Sequence, residues 1–124
     1  MSFALSALDL SPIPSRSKDS EALRNTLDLV QLADGLGYHR YKLAEHHSMI
    51  DLGSTAPEIM IGQVARLTKR IRIGSGGILL LNHAPLRIAE TFRVLEALFP
   101  GRIDLALGRA SGADEAVEQA LESC

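Results

Sequence analysis

The sequence predicts an α/β fold in which four strand–helix units build one parallel sheet. Strand-like runs recur about every 30–36 residues, the length of one unit in a barrel of eight such units. A stretch with helical periodicity follows each run, and strands that alternate with helices form parallel sheets with right-handed crossovers. The 124 residues suit one domain, and 46% hydrophobic with 23% charged residues indicates a globular protein rather than a disordered one.

The strands are predicted over residues 3–10 ("FALSALDL"), 38–45 ("YHRYKLAE"), 71–76 ("IRIGSG") and 102–108 ("RIDLALG"). The helices are predicted over 20–36, 57–69, 85–98 and 114–123. Gly35 and Gly37 stop the first helix. Thr55 lies three residues before Glu58, a capping-box pattern that predicts the start of the second helix. "FPGR" ends the third helix.

Composition excludes several classes of protein. The net charge of −2 gives no basic surface for nucleic acid. No apolar run reaches the roughly 18 residues that a membrane helix needs. The start "MSFALSALDLSPIP" lacks a basic leader, so no signal peptide is expected. The lone cysteine, Cys124, excludes an internal disulfide framework, and a reducing cytoplasmic setting is expected.

Polar residues cluster where each predicted strand ends: "DLSP", "EHHS", "GSGG" and "GRASG". In parallel α/β folds ligands bind at the carboxyl ends of the strands. The four segments therefore predict one binding site, although loops also need Gly, Ser and Asp for turning.

The first candidate group is Glu45, His46 and His47. Successive strand side chains point to opposite faces, so two adjacent histidines on a regular strand cannot face one metal. The spacing also differs from that of a helical HExxH zinc site, so no metal is expected. One histidine can act as an acid or base, because its pKa lies near neutrality. The alternative is that both histidines only satisfy hydrogen bonds at a strand end.

Two further segments leave alternatives open. Gly76 and Gly77, within "GSGG", would let a flat ligand approach the backbone or permit an unusual peptide geometry, or they form a tight turn. Arg109 can bind a phosphate with help from Ser111 and nearby N–H groups, or it is a solvated arginine in a turn. His83 is expected to cap the third helix or to make loop hydrogen bonds.

Taken together, "YHRYKLAEHH" and "APEIMIGQVARLTKRIRIGSGGILLLNHAPLRIAETFRVLEALFPGRIDLALGR" resemble the N-terminal half of bacterial luciferase-like flavin-dependent monooxygenases. The resemblance runs from Phe3 to about Asp114. It implies a parallel (β/α)₄ half of a TIM-type (β/α)₈ barrel, with residues 1–124 as a single, truncated domain. It also implies a monooxygenase that uses reduced FMN and O₂ on a small organic substrate, with a deazaflavin in some relatives.

Residue by residue, His46 matches a histidine implicated in the oxygen chemistry of the reduced flavin, and Glu45 matches the carboxylate beside it, near the flavin. Gly76 and Gly77 match a pair that relatives join by a non-proline cis peptide packed against the flavin ring. Arg109 matches an arginine that binds the FMN phosphate. The role of His47 stays open.

The sequence departs from the family pattern at Lys42, where close relatives usually have tryptophan, and at Ser111, where proline is common. Strands five to eight are absent. A half barrel leaves strand edges and an apolar inner surface exposed, which predicts a homo-oligomer. A flavin reductase is a possible partner of the enzyme. The alternatives are a non-catalytic flavin-binding or self-associating half-barrel protein and, more weakly, a metal-dependent hydrolase.

Overall fold

The structure is a computed structural model that describes residues 2–122. The strands are β1 (Ser6–Asp9), β2 (Arg40–Leu43), β3 (Arg72–Ser75), β4 (Ile78–Leu79), β5 (Ile103–Asp104) and β6 (Leu107–Gly108). The helices are α1 (Asp19–Gly35), α2 (Pro57–Leu67), α3 (Pro85–Leu98) and α4 (Glu115–Glu122), with a 3₁₀ helix at Leu80–Asn82. Ser123, the predicted end of the last helix, and Cys124 lie outside the described residues.

The main sheet confirms the predicted architecture. Its order is β1-β2-β3-β5, and every neighbouring pair is parallel. Strand order therefore follows chain order, as in one half of a (β/α)₈ barrel. β4 and β6 form a second, two-stranded parallel sheet beyond the carboxyl ends of β3 and β5. No helix in the described part of the chain is both long and apolar enough to cross a membrane.

The two faces of the main sheet differ in burial. Tyr41, Leu43 and Ile73 point to one face and are at most 1% exposed. They join apolar side chains of α1, α2 and α3 in one cluster that includes Val30, Ala33, Ile61, Val64, Ala65, Ile71, Ile78, Ile88, Phe92 and Leu95. Leu8, on the opposite face, is 57% exposed. The core thus lies between the sheet and its helices, and the other face of the sheet is open.

Two buried polar contacts fix the helices at the amino ends of the strands. The Asp34 carboxylate, in the last turn of α1, accepts N–H bonds from Lys69, Arg70 and Ile71 at 2.9–3.1 Å. Arg102, before β5, donates to the carbonyls of residues 65, 68 and 71. The backbone groups that bond to Asp34 and Arg102 belong to residues 65–71, which connect the end of α2 to β3. These bonds therefore fix where β3 begins.

The helix ends confirm one expectation and correct another. α1 ends at Gly35, and Gly37 follows with φ +80°, a conformation that suits glycine. The capping box was wrong: α2 has Ala56 at its N-cap and no side-chain cap. Pro57 takes the first helical position, so Glu58 is second and too close to the cap for a reciprocal bond.

The fourth predicted strand is not continuous. Residues 102–108 contain β5 and β6, separated by Leu105 and Ala106. The Ser75 hydroxyl donates to the Ala106 carbonyl at 2.9 Å and accepts the Ala106 N–H at 3.0 Å. The Ala106 N–H therefore bonds to a side chain, whereas the Ala106 carbonyl also accepts the Ile78 N–H at 2.8 Å, where the pairing between β4 and β6 begins.

Candidate active site

The predicted site residues follow β2 and β3 of the main sheet and β6 of the two-stranded sheet beyond its carboxyl edge. Glu45 and His46 come after β2, Gly76 and Gly77 separate β3 from β4, and Arg109 comes directly after β6. The Gly76 N–H donates to the Leu43 carbonyl at 2.8 Å, which joins the first two segments. The His47 N–H donates to the Gly112 carbonyl at 2.7 Å, which joins the first segment to the loop that carries Arg109.

Glu45 lies at the centre of a hydrogen-bond cluster. Its side chain is 0% exposed. One oxygen, Oε1, accepts His47 Nε2 at 2.7 Å and His83 Nε2 at 2.8 Å, and the other accepts the Leu79 N–H at 2.8 Å. Burial raises the pKa of the Glu45 carboxyl, but the bonds from Leu79, His47 and His83 outweigh burial and hold this pKa below its usual value.

His46 has a buried ring nitrogen without a hydrogen-bond partner among the described residues. Its Nδ1 is buried and makes no hydrogen bond within residues 2–122. The backbone of this residue is fixed, since its N–H donates to the Ser54 carbonyl at 2.8 Å. The Ser54 hydroxyl donates in turn to the Ala44 carbonyl. A buried, unpaired imidazole nitrogen can exchange a proton with a bound ligand.

The two adjacent histidines have different environments. β2 ends at Leu43, so both follow the regular strand and strand alternation does not decide their directions. His47 binds Glu45, whereas His46 does not. Within the described chain, no group of three or more His, Cys, Asp or Glu side chains has an arrangement that could hold a metal ion.

Gly76 and Gly77 form a surface of main-chain atoms, and the peptide between them is cis, as the resemblance implies. A Cβ on Gly76 would lie 2.8 Å from Leu8 Cδ1 and 2.9 Å from Lys42 Cβ. A Cβ on Gly77 would lie 2.8 Å from the Ala106 carbonyl oxygen. All three distances are shorter than a Cβ tolerates, so a residue larger than glycine at either position would force its neighbours to shift.

The loop after β6 contains an arginine side chain without a partner in the described chain and a serine hydroxyl that is already hydrogen-bonded. The Arg109 side chain is exposed and has no hydrogen-bond or ion-pair partner among residues 2–122. Ser111 is buried; its hydroxyl donates to Glu118 at 2.7 Å and accepts the Ala113 N–H at 3.3 Å. The sequence left Ser111 open as a phosphate donor or a local cap, and here its hydroxyl serves the loop and α4.

Sequence reasoning assigned His83 to helix capping or loop hydrogen bonds and did not join it to Glu45. α3 begins at Pro85 with no side-chain cap, and His83 donates across the site to Glu45 instead. Its neighbour Asn82 donates to the Ser111 carbonyl at 2.8 Å. A separation of 38 residues hides the contact between His83 and Glu45 from local patterns.

Comparison with known proteins agrees with this geometry. The family profile described as luciferase-like monooxygenase matches residues 1–121. A luciferase-like monooxygenase of Escherichia coli K12 is 52% identical over 118 residues, which cover 95% of this chain and 35% of that protein. The chain thus spans about a third of that relative's length.

Two solved structures share the fold. Apo-MsnO8 has a TM-score of 0.90 and 44% identity, with 95% of this chain and 36% of that one covered. The oxygenating constituent of 3,6-diketocamphane monooxygenase from Pseudomonas putida, a type II Baeyer–Villiger monooxygenase in complex with FMN, has a TM-score of 0.87. It is 19% identical, with 97% and 32% covered, and shows the fold alone. The chain belongs to the luciferase-like monooxygenase family.

Proposed function

We propose that this chain carries the flavin site of a flavin-dependent monooxygenase, an oxidoreductase that uses reduced FMN and O₂ on a small organic substrate. The observation that carries the proposal is the meeting of three segments at one sheet edge: residues 45–47, the Gly76–Gly77 peptide and the loop 109–112. The active site of a (β/α)₈ barrel lies at this edge. Because the chain spans a third of its E. coli relative, the activity proposed is that of a larger assembly to which it contributes.

The residues present fit a flavin. The Gly76–Gly77 peptide carries no side chain of its own and is partly exposed, so a flat ring system can approach its main-chain atoms. The buried Nδ1 of His46 lacks a partner that a polar ligand atom would supply. Reduced FMN would supply the electrons with which O₂ is activated.

Each residue then has a distinct proposed role. His46 would take or give a proton at Nδ1. Gly76 and Gly77 support one face of the ring. Arg109, an exposed cation, binds the FMN phosphate, and Glu45 lies near the ring through the histidines it binds. A deazaflavin, which shares the flat ring, is the alternative cofactor.

The phosphate role of Arg109 can be separated from ring binding. FMN carries the phosphate and riboflavin does not, so Arg109→Ala should weaken FMN binding about tenfold and leave riboflavin binding unchanged. The measurement is quenching of flavin fluorescence during titration with protein. Arg24→Ala, an exposed arginine on α1, is the matched control and should change neither affinity.

The proton role of His46 calls for a different readout. His46→Ala should lower oxygen uptake with reduced FMN by about 10²–10⁴-fold, the usual contribution of acid–base catalysis, and change FMN affinity little. His39→Ala is the control, because His39 is exposed before β2, at the opposite end of the sheet. Equal effects of the two substitutions would contradict the assignment to His46.

The remaining partners belong to the same proposal. A flavin reductase would supply reduced FMN in a cytoplasmic, reducing setting. Leu8 on the open sheet face is 57% exposed, and Phe3 and Leu107 elsewhere are 79% and 55% exposed. These exposed apolar side chains favour association with a second copy into a homo-oligomer. A compact monomer in sedimentation velocity at micromolar concentration would contradict self-association.

The open face also favours a second candidate, a flavin-binding or self-associating half-barrel protein without catalysis. Oxygen uptake separates the two. A chain that binds FMN but leaves the oxygen uptake of reduced FMN and substrate at its protein-free rate would be the non-catalytic form. Failure to bind any flavin would overturn the flavin-binding function altogether.

A further inference from the structure

The Glu45 cluster contains more than the proposed flavin chemistry uses. One carboxylate oxygen accepts two imidazoles, from His47 and His83, at 2.7 and 2.8 Å. These histidines lie on two loops, one after β2 and one after the 3₁₀ helix. Their side chains are 28% and 20% exposed, whereas the carboxylate itself is 0% exposed. The cluster thus connects a fully buried anion to two partly accessible rings.

The chemistry of the acceptor fixes which ring nitrogen carries the proton. An ionised carboxylate has acceptor atoms only, so every group that bonds to it must donate. Glu45 receives three such bonds, from His47, His83 and the Leu79 N–H, and these bonds favour its charged form. Each Nε2 must therefore carry hydrogen, and each neutral ring keeps the lone pair on Nδ1. Neither Nδ1 makes a hydrogen bond within residues 2–122.

We infer that Glu45 is a positioning residue that holds His47 and His83 with Nε2 protonated and so presents both Nδ1 atoms as proton acceptors. Carboxylates act on metal-binding histidines in the same way, by fixing the tautomer and the orientation of the ring. The site then has three imidazoles: His46, with an unpaired Nδ1, and the two that Glu45 orients. The role of this pair in catalysis rests on the proposed monooxygenase function, but the tautomers do not depend on it.

A second buried carboxylate provides the matched control. Asp34 also accepts three hydrogen bonds, all from backbone N–H groups of residues 69–71. Those residues precede β3, at the opposite end of the sheet from Glu45. Asp34→Asn should therefore cost stability, as Glu45→Gln does, without changing any histidine.

The test uses nuclear magnetic resonance of the unliganded chain at a pH above the ordinary histidine pKa of about 6.5. Long-range proton–nitrogen correlation of the wild type should show hydrogen on Nε2 of both His47 and His83. Two imidazole N–H protons should exchange slowly with solvent, and His47→Gln and His83→Gln should each remove one of them. Glu45→Gln should speed their exchange at least tenfold, whereas Asp34→Asn should leave it unchanged.

Hydrogen on Nδ1 of either ring in the wild type would overturn the inference, and this result does not require any variant to fold. Unchanged exchange of both protons in folded Glu45→Gln would overturn it as well. If Asp34→Asn sped the exchange of the two imidazole protons as much as Glu45→Gln does, the cause would be destabilisation of the whole fold rather than loss of the bonds from Glu45.

A kinetic measurement extends the test to catalysis. Glu45→Gln should lower oxygen uptake about 10- to 100-fold, as loss of an outer carboxylate does for metal-binding histidines, with FMN affinity within twofold of wild type. The two proposals can fail separately. Protected Nε2 protons without flavin binding would retain the positioning role and remove the flavin function, whereas flavin binding with hydrogen on Nδ1 would do the reverse.

Discussion

The loop 109–112 requires glycine at position 112, because the structure has no room there for the methyl group of alanine. This residue has φ +67°. A Cβ there would collide with Leu79 Cδ1 and lie 3.0 Å from the Glu45 carbonyl oxygen. Gly112→Ala therefore combines an unfavourable backbone conformation with a clash. Gly37→Ala separates the two effects, because Gly37 has φ +80° and no atom within 4 Å of the added Cβ.

The magnitudes follow from these two environments. A left-handed conformation costs a residue with a side chain about 1–2 kcal/mol, and alanine recovers about 0.4–1 kcal/mol by restricting the unfolded chain. Gly37→Ala should therefore lower the free energy of unfolding by about 1 kcal/mol. Overpacking adds about 1–3 kcal/mol at Gly112, so Gly112→Ala should cost about 2–4 kcal/mol.

Urea denaturation followed by circular dichroism measures both free energies. The His47 amide should also shift in the spectrum of Gly112→Ala, since it donates to the Gly112 carbonyl, and should not shift in Gly37→Ala. Losses that agree within about 0.5 kcal/mol, the usual limit of additivity, would refute the claim that packing at Gly112 restricts this loop.

Two further predictions concern the contacts that hold β3 in place. Burial raises the pKa of Asp34, but three backbone N–H bonds outweigh it and hold this pKa below its ordinary 3.8. The contribution of Asp34 is thus complete above pH 3.8 and is lost as the pH falls through the lower folded-state value. Asp34→Asn should lower the free energy of unfolding, measured by urea denaturation, by about 2 kcal/mol at neutral pH. The difference in this free energy between wild type and variant should become smaller in acid. A difference that does not change with pH would contradict the role of the Asp34 carboxylate as hydrogen-bond acceptor. Gly74→Ala should cost at least about 3 kcal/mol, since its Cβ would collide with the backbone of Asp104. Gly62→Ala, in α2 with only an ordinary contact at 3.6 Å, should be stabilising by about 0.5–1 kcal/mol, and a loss there as large as at Gly74 would contradict the packing argument.

Much of the fold could be predicted because it depends on local patterns. Helical periodicity, glycine after a helix and proline at its start gave four helices whose bounds lie within two residues of those observed. The break in the fourth strand could not be predicted in this way. It depends on the Ser75 hydroxyl, which accepts the Ala106 N–H and donates to the Ala106 carbonyl, 31 residues further along the chain.

In the candidate site, too, local patterns could be predicted and contacts between distant residues could not. The sequence located its segments, because polar residues follow strands that are parallel and adjacent. It did not reveal that His83 and His47 share Glu45, since that contact depends on the path of the chain between β4 and α3. Strand alternation was also the wrong guide to the two adjacent histidines, because the regular strand ends at Leu43, before either of them.

The glycine surfaces around the site also have a consequence for protein engineering. At Gly77 and Gly112 two stretches of chain touch without room for a side chain, so a mutagenesis library that varies these positions would consist mostly of misfolded clones. Met49, on the loop after β2, and Leu81, in the 3₁₀ helix, are 40% and 61% exposed and leave space for replacement. Mutagenesis around the site should therefore begin at these two positions and keep the glycines fixed.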